Sequence, residues 1–199
     1  KQRPLDNPII LHVSGIEGLF EVAEEVPATS RELVECFWPG PLTVIVPRAS
    51  NVPDAVTGGL NTVAVRCPSH PTAQALIRAS GVPIAAPSAN VSGRPSPTCA
   101  EHVLADLDGK LKLVLDAGPT GIGVESTVVE AAGDRAVVLR PGGLPVESIK
   151  KVVSEVVPGQ GVEFDETPSS PGLKYTHYSP EASLFLVDCG TRGRTVECL

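Results

Sequence analysis

Two short polar segments carry side chains that could do chemistry. Ser88 and Asn90 flank one residue after an apolar run, where a turn would present a hydroxyl and an amide together. Lys1 and Arg3 also flank one residue, and alternate residues of an extended segment point the same way, so the two cations would share a face. Two cations beside short polar donors suit a polyphosphate or a carboxylate. These segments are therefore the first candidates for an anion-binding pocket.

Several other candidates have a plain structural explanation beside the functional one. Arg66 ends an apolar strand, where it could form an edge salt bridge or hold a carboxylate with its planar guanidinium. His12 also lies at the end of a predicted strand, and a lone histidine is more often structural than catalytic. Thr98 could cap a helix, or lie near an anionic ligand because helix N-termini favour anions. Ser88 and Asn90 could form a turn and nothing more.

Strands and helices alternate along the chain, and these elements must position the candidates. Strands are predicted over 9–13, 42–46, 62–67, 82–86, 113–116, 127–131, 136–140 and 183–187. Helices are predicted over 17–26, 29–38, 71–80, 98–107 and 146–157, with capping boxes at Thr29 and Thr98 and with Gly81 placed to end the third helix. Gly133 and Asp134 predict a hairpin turn. The predicted fold is α/β (α+β), a twisted mixed sheet with helices.

The composition of the chain excludes several classes of protein. Its 199 residues, 42% hydrophobic and 20% charged, are typical of a soluble globular chain, and no apolar run approaches the ~20 residues of a membrane span. A net charge of −7 argues against a general nucleic-acid surface, so weak or no direct nucleic-acid binding is expected. The five cysteines form no CxxC pair and no zinc spacing, which favours reduced thiols in the cytoplasm. No cluster of ligating side chains predicts a fixed metal site.

Seven motifs in a fixed order carry a family resemblance. They are Lys1-x-Arg3-Pro4 with Asn7-Pro8 and His12, Trp38-Pro39-Gly40-Pro41-Leu42-Thr43, Val63-Ala64-Val65-Arg66-x-Pro68, Ala86-Pro87-Ser88-Ala89-Asn90-x-Ser92-Gly93, Gly123-x-Glu125-Ser126-Thr127-Val128-Val129, Leu139-Arg140-Pro141-Gly142, and Ser170-Pro171-Gly172-Leu173-Lys174-Tyr175-x-His177-Tyr178-x-Pro180. Each is weak alone. In number and order they resemble the Sua5/YrdC family of threonylcarbamoyl-AMP synthases, the Sua5 form in particular, over essentially the whole chain.

The resemblance implies an enzyme that joins L-threonine, bicarbonate and ATP into threonylcarbamoyl-AMP and releases pyrophosphate. A separate tRNA threonylcarbamoyltransferase then moves the group to adenosine 37 of tRNAs that read ANN codons. Catalysis would rest on positioning and charge stabilisation, with Mg²⁺ arriving with ATP. The implied ATP contacts are Arg3, Asn7, Thr62, Asn90, Thr98, Arg140, His177 and Tyr178. The implied threonine contacts are His12, Arg66, Ser88 and Ser126, and Lys1 and Arg3 are the implied catalytic residues.

The resemblance also implies how the chain is organised. Residues 1–157 would form a YrdC-like catalytic domain, residues 158–180 an interdomain linker, and residues 181–199 the start of a small Rossmann-like C-terminal domain. The linker resembles a flap that folds across the active site and excludes water, with His177 and Tyr178 against ATP. The family keeps a Pro-Thr-[Glu/Asp]-Thr-x-Tyr-Gly-Leu segment before the Lys-x-Arg motif, and the chain has no methionine. We therefore expect a fragment truncated at both ends, inactive or poorly folded by itself.

Three alternatives to a synthase remain open at this point. The first is a module that binds tRNA or double-stranded RNA in a concave surface without catalysis. The second is a related carbamoyl-transfer domain of hydrogenase maturation factors, whose zinc-finger-like cysteine motifs and acylphosphatase-like segment have no match here. The third is a non-catalytic homologue that acts as a scaffold. Salt-dependent RNA binding without ATP turnover would favour the first.

Overall fold

A seven-stranded mixed sheet lies at the centre of the described chain. The computed structural model describes residue 1, residues 3–4 and residues 6–159. The strands are β1 (Leu11–His12), β2 (Leu42–Pro47), β3 (Thr62–Arg66), β4 (Ile84–Ala85), β5 (Thr127–Ala132), β6 (Arg135–Arg140) and β7 (Glu155–Pro158). Their order is β4-β1-β3-β2-β5-β6-β7, in which β1/β3, β2/β5 and β6/β7 are parallel and the other neighbours antiparallel. The predicted mixed sheet with helices is confirmed.

Six helices accompany the sheet in the described residues. They are α1 (Ile16–Val22), α2 (Ala28–Phe37), α3 (Asp54–Thr57), α4 (Pro71–Ser80), α5 (Ala100–Leu107) and α6 (Val146–Ile149). None of them is long and apolar enough to cross a membrane. The helix α3, a single turn between β2 and β3, is not among the helices predicted from the sequence.

The two faces of the sheet are packed differently. Alternate residues of β2, such as Val44 and Val46, join Leu19 of α1 and Leu33 of α2 in the main core. The intervening residues face the other way. There Ile45, with Ala64 and Val128, forms a small second cluster against Ile10 and Leu139. This second face carries the polar residues described below.

Two sequence predictions fail where pairing between distant segments decides the structure. The helix predicted over 146–157 ends at Ile149, because 155–158 pairs with β6 in parallel as β7. The strand predicted over 113–116 does not form, because no strand lies beside it in the described residues. Its side chains Leu113 and Leu115 are 75% and 58% exposed.

Both predicted capping boxes are also wrong. The N-cap of α2 is Pro27 without a side-chain bond, and Thr29 instead donates its hydroxyl to the carbonyl of Gly133 at 2.8 Å. The N-cap of α5 is Cys99, one residue after Thr98. Thr98 lies outside the cap position, with its hydroxyl 3.3 Å from Nδ1 of His102 in the first turn of α5.

Several local predictions are confirmed. Gly81 ends α4 with φ of +67°, a conformation that glycine adopts without strain. The hairpin forms between β5 and β6, with Gly133 in its turn at φ +67°. The strand predicted over 82–86 forms only as β4, at one edge of the sheet, and Val82 before it is 61% exposed. The predicted linker after Gly159, the predicted C-terminal domain, His177 and Tyr178 lie outside the described residues.

Candidate functional site

A row of paired residues crosses the sheet on its less covered face. The Cα atoms of His12 and Arg66 are register partners on β1 and β3, and Arg66 is in turn the partner of Thr43 on β2. Register partners in a sheet place their side chains on the same face. Pairing of strands from distant parts of the sequence thus brings two predicted threonine-binding residues, His12 and Arg66, side by side.

Arg66 is a partly buried cation that no described carboxylate neutralises. Its Nε donates a hydrogen bond to the carbonyl of Gly40 at 3.1 Å, and it forms no ion pair within the described part of the chain. Burial lowers the pKa of Arg66, and the positive charge of Arg140 lowers it further. Such a site favours an anion, since a planar guanidinium can hold a carboxylate or a phosphate by two parallel hydrogen bonds.

Ser126 joins this row through its hydroxyl. Its Oγ lies 2.7 Å from Oγ1 of Thr43, and both residues are buried. Arg140 donates from Nη2 to the carbonyl of Ser126 at 2.9 Å and to its Oγ at 3.3 Å. The predicted threonine contact Ser126 and the predicted ATP contact Arg140 therefore touch each other, and Thr43 links them to Arg66.

His12 is neutral at neutral pH in this setting. Burial lowers its pKa to about 4, and the charge of Arg66 acts in the same direction. Its Nδ1 is buried without a hydrogen-bond partner among the described residues. A neutral imidazole with an unpaired ring nitrogen can accept from, or donate to, a ligand in the row.

A second cluster joins the two segments singled out from the sequence. The ammonium of Lys1 donates to the backbone carbonyl of Asn90 at 2.5 Å and to that of Ser88. Asn90 is buried and its Oδ1 lacks a partner among the described residues, whereas the side chain of Ser88 is exposed. The predicted proximity of Lys1 to the Ser-Ala-Asn turn is thus present in the structure.

Arg3 and Asn7 lie together in the first loop. Arg3 donates from Nη2 to the carbonyl of Pro8 at 2.5 Å and to that of Asn7 at 3.3 Å. The Nε of Arg3 and the Oδ1 of Asn7 are buried without partners among the described residues. Burial lowers the pKa of Arg3. For Lys1, burial and then the charge of Arg3 lower the pKa, while Asp106 opposes them.

Thr62 and Thr98 are placed apart from these contacts. Thr62 begins β3, four residues before Arg66, and is the register partner of Pro47. Thr98 precedes α5, where its hydroxyl lies 3.3 Å from Nδ1 of His102. The structure therefore gives neither of them a contact with the other candidates.

Three residues of this region went unassigned in the sequence reading. Thr43 bonds to Ser126. In the sequence it could have been noticed as a hydroxyl residue inside the apolar run of β2. Gly142 packs so closely that a Cβ there would lie 2.4 Å from the carbonyl oxygen of Glu125. In the sequence it could have been noticed from the Pro-Gly pair after β6. Asp106 on α5 bonds to the 90–94 turn and had no local signal.

Metal-ligating side chains do not gather in the described part of the chain. No group of three or more His, Cys, Asp or Glu residues there could hold a metal ion. The side chains of the two clusters are mainly cationic or neutral. They suit anionic ligands.

Comparison with known proteins gives consistent matches. The Sua5, YciO and YrdC family model, described as Telomere recombination, matches residues 1–142, and the model described as Threonylcarbamoyl-AMP synthase, C-terminal domain, matches residues 144–197. Threonylcarbamoyl-AMP synthase of Bacillus subtilis is 51% identical over 190 residues, covering 94% of this chain and 55% of the relative. The Schizosaccharomyces pombe enzyme of the same name is 42% identical, and the match covers 94% of this chain and 53% of that relative.

Solved structures agree with these sequence matches. The crystal structure of Pyrococcus abyssi Sua5 complexed with L-threonine superposes with a TM-score of 0.86 at 49% identity, covering 92% of this chain and 54% of that one. Escherichia coli YciO superposes with a TM-score of 0.66 at 26% identity, covering 74% and 72%. The chain spans about half the length of the threonylcarbamoyl-AMP synthases named above.

Proposed function

The chain belongs to the Sua5/YciO/YrdC family, and from that premise we propose that it supplies the substrate pocket of a threonylcarbamoyl-AMP synthase. The observation that carries the proposal is the polar row in which His12, Arg66, Thr43, Ser126 and Arg140 are linked across the sheet. The proposed reaction joins L-threonine, bicarbonate and ATP and releases pyrophosphate. The named relatives, which are 49–51% identical to this chain over the 190 to 193 aligned residues, support the same activity.

The amino acid would bind at the Arg66 end of the row. Because Nε of Arg66 donates to the carbonyl of Gly40, its terminal nitrogens would be the ones that bind the threonine carboxylate. Ser126 would contact the same ligand through its hydroxyl, and the neutral ring of His12 would accept or donate one further hydrogen bond. Ser88 would contact threonine from the turn. The complex of Pyrococcus abyssi Sua5 with L-threonine supports an amino acid in this fold.

The nucleotide would bind between Lys1, Arg3, Asn90 and Arg140. In the reaction, an oxygen of the threonine carbamate attacks the α-phosphorus of ATP. A new O–P bond forms, the α,β-phosphoanhydride bond breaks, and pyrophosphate leaves with the electron pair. Lys1 and Arg3 would stabilise charge on the phosphates, and no protein nucleophile is needed. Mg²⁺ would enter as part of the MgATP substrate.

Further ATP contacts are proposed for Asn7, Thr62, Thr98, His177 and Tyr178. The first three belong to the described chain, where the Oδ1 of Asn7 is available for a ligand. The last two, in the proposed flap, lie outside the described residues.

The product would pass to a tRNA threonylcarbamoyltransferase that modifies adenosine 37 of ANN-decoding tRNAs. We place this activity in the cytoplasm, and the free thiols of Cys36, Cys67 and Cys99 fit a reducing compartment. The RNA-binding alternative is not favoured, because the curated relatives are named as synthases.

Binding and turnover test the proposal separately. Calorimetric titration with L-threonine of the longest natural polypeptide that contains this chain should show saturable binding, which Arg66→Lys weakens by about tenfold because lysine cannot form the bidentate contact. Arg48→Lys is the matched control, since Arg48 pairs with Asp54 at 2.6 Å outside the row. Pyrophosphate release should require ATP, threonine and bicarbonate in the longest natural polypeptide that contains this chain. RNA binding without such release would overturn the proposal.

A further inference from the structure

Asp106 ties helix α5 to the turn that carries Asn90. Its Oδ2 accepts a hydrogen bond from the backbone N–H of Val91 at 2.9 Å, and its Oδ1 accepts one from Nη1 of Arg94 at 2.5 Å. The side chain of Asp106 is only 11% exposed, although that of Arg94 is 64% exposed. One carboxylate thus holds both the beginning and the end of a short segment that is distant from it in sequence.

The segment held in this way determines where the Asn90 amide points. The Nδ2 of Asn90 donates to the carbonyls of Val91 at 3.0 Å and Arg94 at 2.6 Å, the same two residues that Asp106 binds. The opposite end of that amide, Oδ1, is buried without a partner among the described residues. The backbone carbonyl of Asn90 also receives the Lys1 ammonium. Moving this turn would therefore move both Asn90 and Lys1.

We propose that Asp106 is a positioning residue for the nucleotide end of the site, acting through the 90–94 turn on Asn90 and Lys1. The inference rests on the proposed function, because it assigns these two residues to ATP. Asp106 would not touch the nucleotide. Its bonds to Val91 and Arg94 would hold the amide and the ammonium in place before the ligand arrives, which lowers the ordering cost of binding.

Because Asp106 is negatively charged, the direction in which ATP affinity changes when it is substituted tests the inference. A carboxylate near a polyphosphate repels it, so removing the charge would by itself strengthen ATP binding. A positioning role predicts the opposite result, because a misplaced Asn90 and Lys1 bind the nucleotide less well. A merely structural role predicts that ATP and threonine binding fall together.

The experiment compares Asp106→Ala, which removes both acceptors, with Asp106→Asn, which keeps one. Asp108→Asn is the matched control, since the side chain of Asp108 accepts a hydrogen bond from the N–H of its neighbour Gly109, at 2.9 Å, and has no bond to the 90–94 turn. ATP and L-threonine affinities are measured by titration of the longest natural polypeptide that contains this chain. Hydrogen exchange of the Val91 amide is measured by NMR without ligand, and circular dichroism verifies the fold of each variant.

We expect Asp106→Ala to weaken ATP binding by about tenfold, the size of one lost charge-assisted hydrogen bond, with Asp106→Asn between it and the wild type. Threonine affinity should change by less than about twofold, and Val91 exchange should accelerate by at least about tenfold. Unchanged or tighter ATP binding by Asp106→Ala overturns the inference, as does an equal loss for both ligands or unchanged Val91 exchange. A wild-type chain that binds threonine but no ATP overturns the ATP assignment and the inference with it, whereas the threonine assignment stands.

Discussion

Protonation of His12 should destabilise the folded chain when the pH falls from about 7 to about 5. Burial, assisted by the nearby charge of Arg66, lowers the pKa of His12 from 6.5 to about 4. Between these two values the unfolded chain binds a proton that the folded chain does not. Stability is therefore fully present above the unfolded pKa and is lost as the pH falls towards the folded value.

The size of the effect follows from the two pKa values. A shift from 6.5 to about 4 corresponds to a ceiling of about 3 kcal/mol, at about 1.4 kcal/mol per pKa unit. At pH 5 the folded histidine is still mostly neutral while the unfolded one is mostly charged, so about 2 kcal/mol of the free energy of unfolding is already lost. This is a large share of the stability of a domain of this size.

Urea unfolding at about pH 7 and about pH 5 measures this loss. His12→Gln has no titrating ring, so it should lose about 2 kcal/mol less than the wild type between the two pH values. His102→Gln removes an exposed imidazole on α5 and should behave as the wild type. An equal pH-dependent loss for the wild type and His12→Gln would refute the assignment of a buried, neutral His12.

Two further predictions concern the packing of the row. In a double-mutant cycle, Thr43→Val and Ser126→Ala should show a coupling of about 1 kcal/mol in the free energy of unfolding, because their hydroxyls lie 2.7 Å apart; additive losses would exclude that bond. Gly142→Ala should destabilise the chain by about 2 kcal/mol, because the new Cβ would lie 2.4 Å from the Glu125 carbonyl. Gly121→Ala, whose Cβ would enter open space, should change unfolding by less than about 0.5 kcal/mol in the same urea titration.

Local signals were sufficient for part of the fold. The β5–β6 hairpin and α4 follow from short-range features, namely a Gly-Asp turn between apolar strands and a glycine that accepts positive φ. By contrast, 155–158 became a strand only because β6 offers a parallel partner, and 113–116 lacks such a partner in the described chain. Partners distant in sequence decided both outcomes, and no local pattern could reveal them.

The candidate site was also predicted only in part from the sequence. Residue type and motif were enough to single out Arg66, Ser126 and Arg140, but their mutual contact depends on strand register, and a slip of one residue would turn each side chain to the other face. Thr43 was recognised only from the structure, in which its hydroxyl bonds to that of Ser126. Asp106 could not be predicted, because its role depends on how α5 packs against the 90–94 turn.

The cations of the site share a feature that explains why the fold tolerates them. Arg3 donates to the carbonyls of Asn7 and Pro8, Lys1 to those of Ser88 and Asn90, and Arg66 to that of Gly40. Carbonyl oxygens fix the positions of the charged groups, and none of these three cations forms an ion pair within the described residues. In the described chain the two ion pairs involve Arg48 and Arg94 instead. Burial and then repulsion lower the pKa values of Lys1 and Arg66, with Asp106 opposing the change at Lys1, so the unliganded fold holds these charges at a cost in stability. Because an anionic ligand would relieve that cost on binding, the arrangement favours recognition of phosphates and carboxylates over stability of the empty pocket.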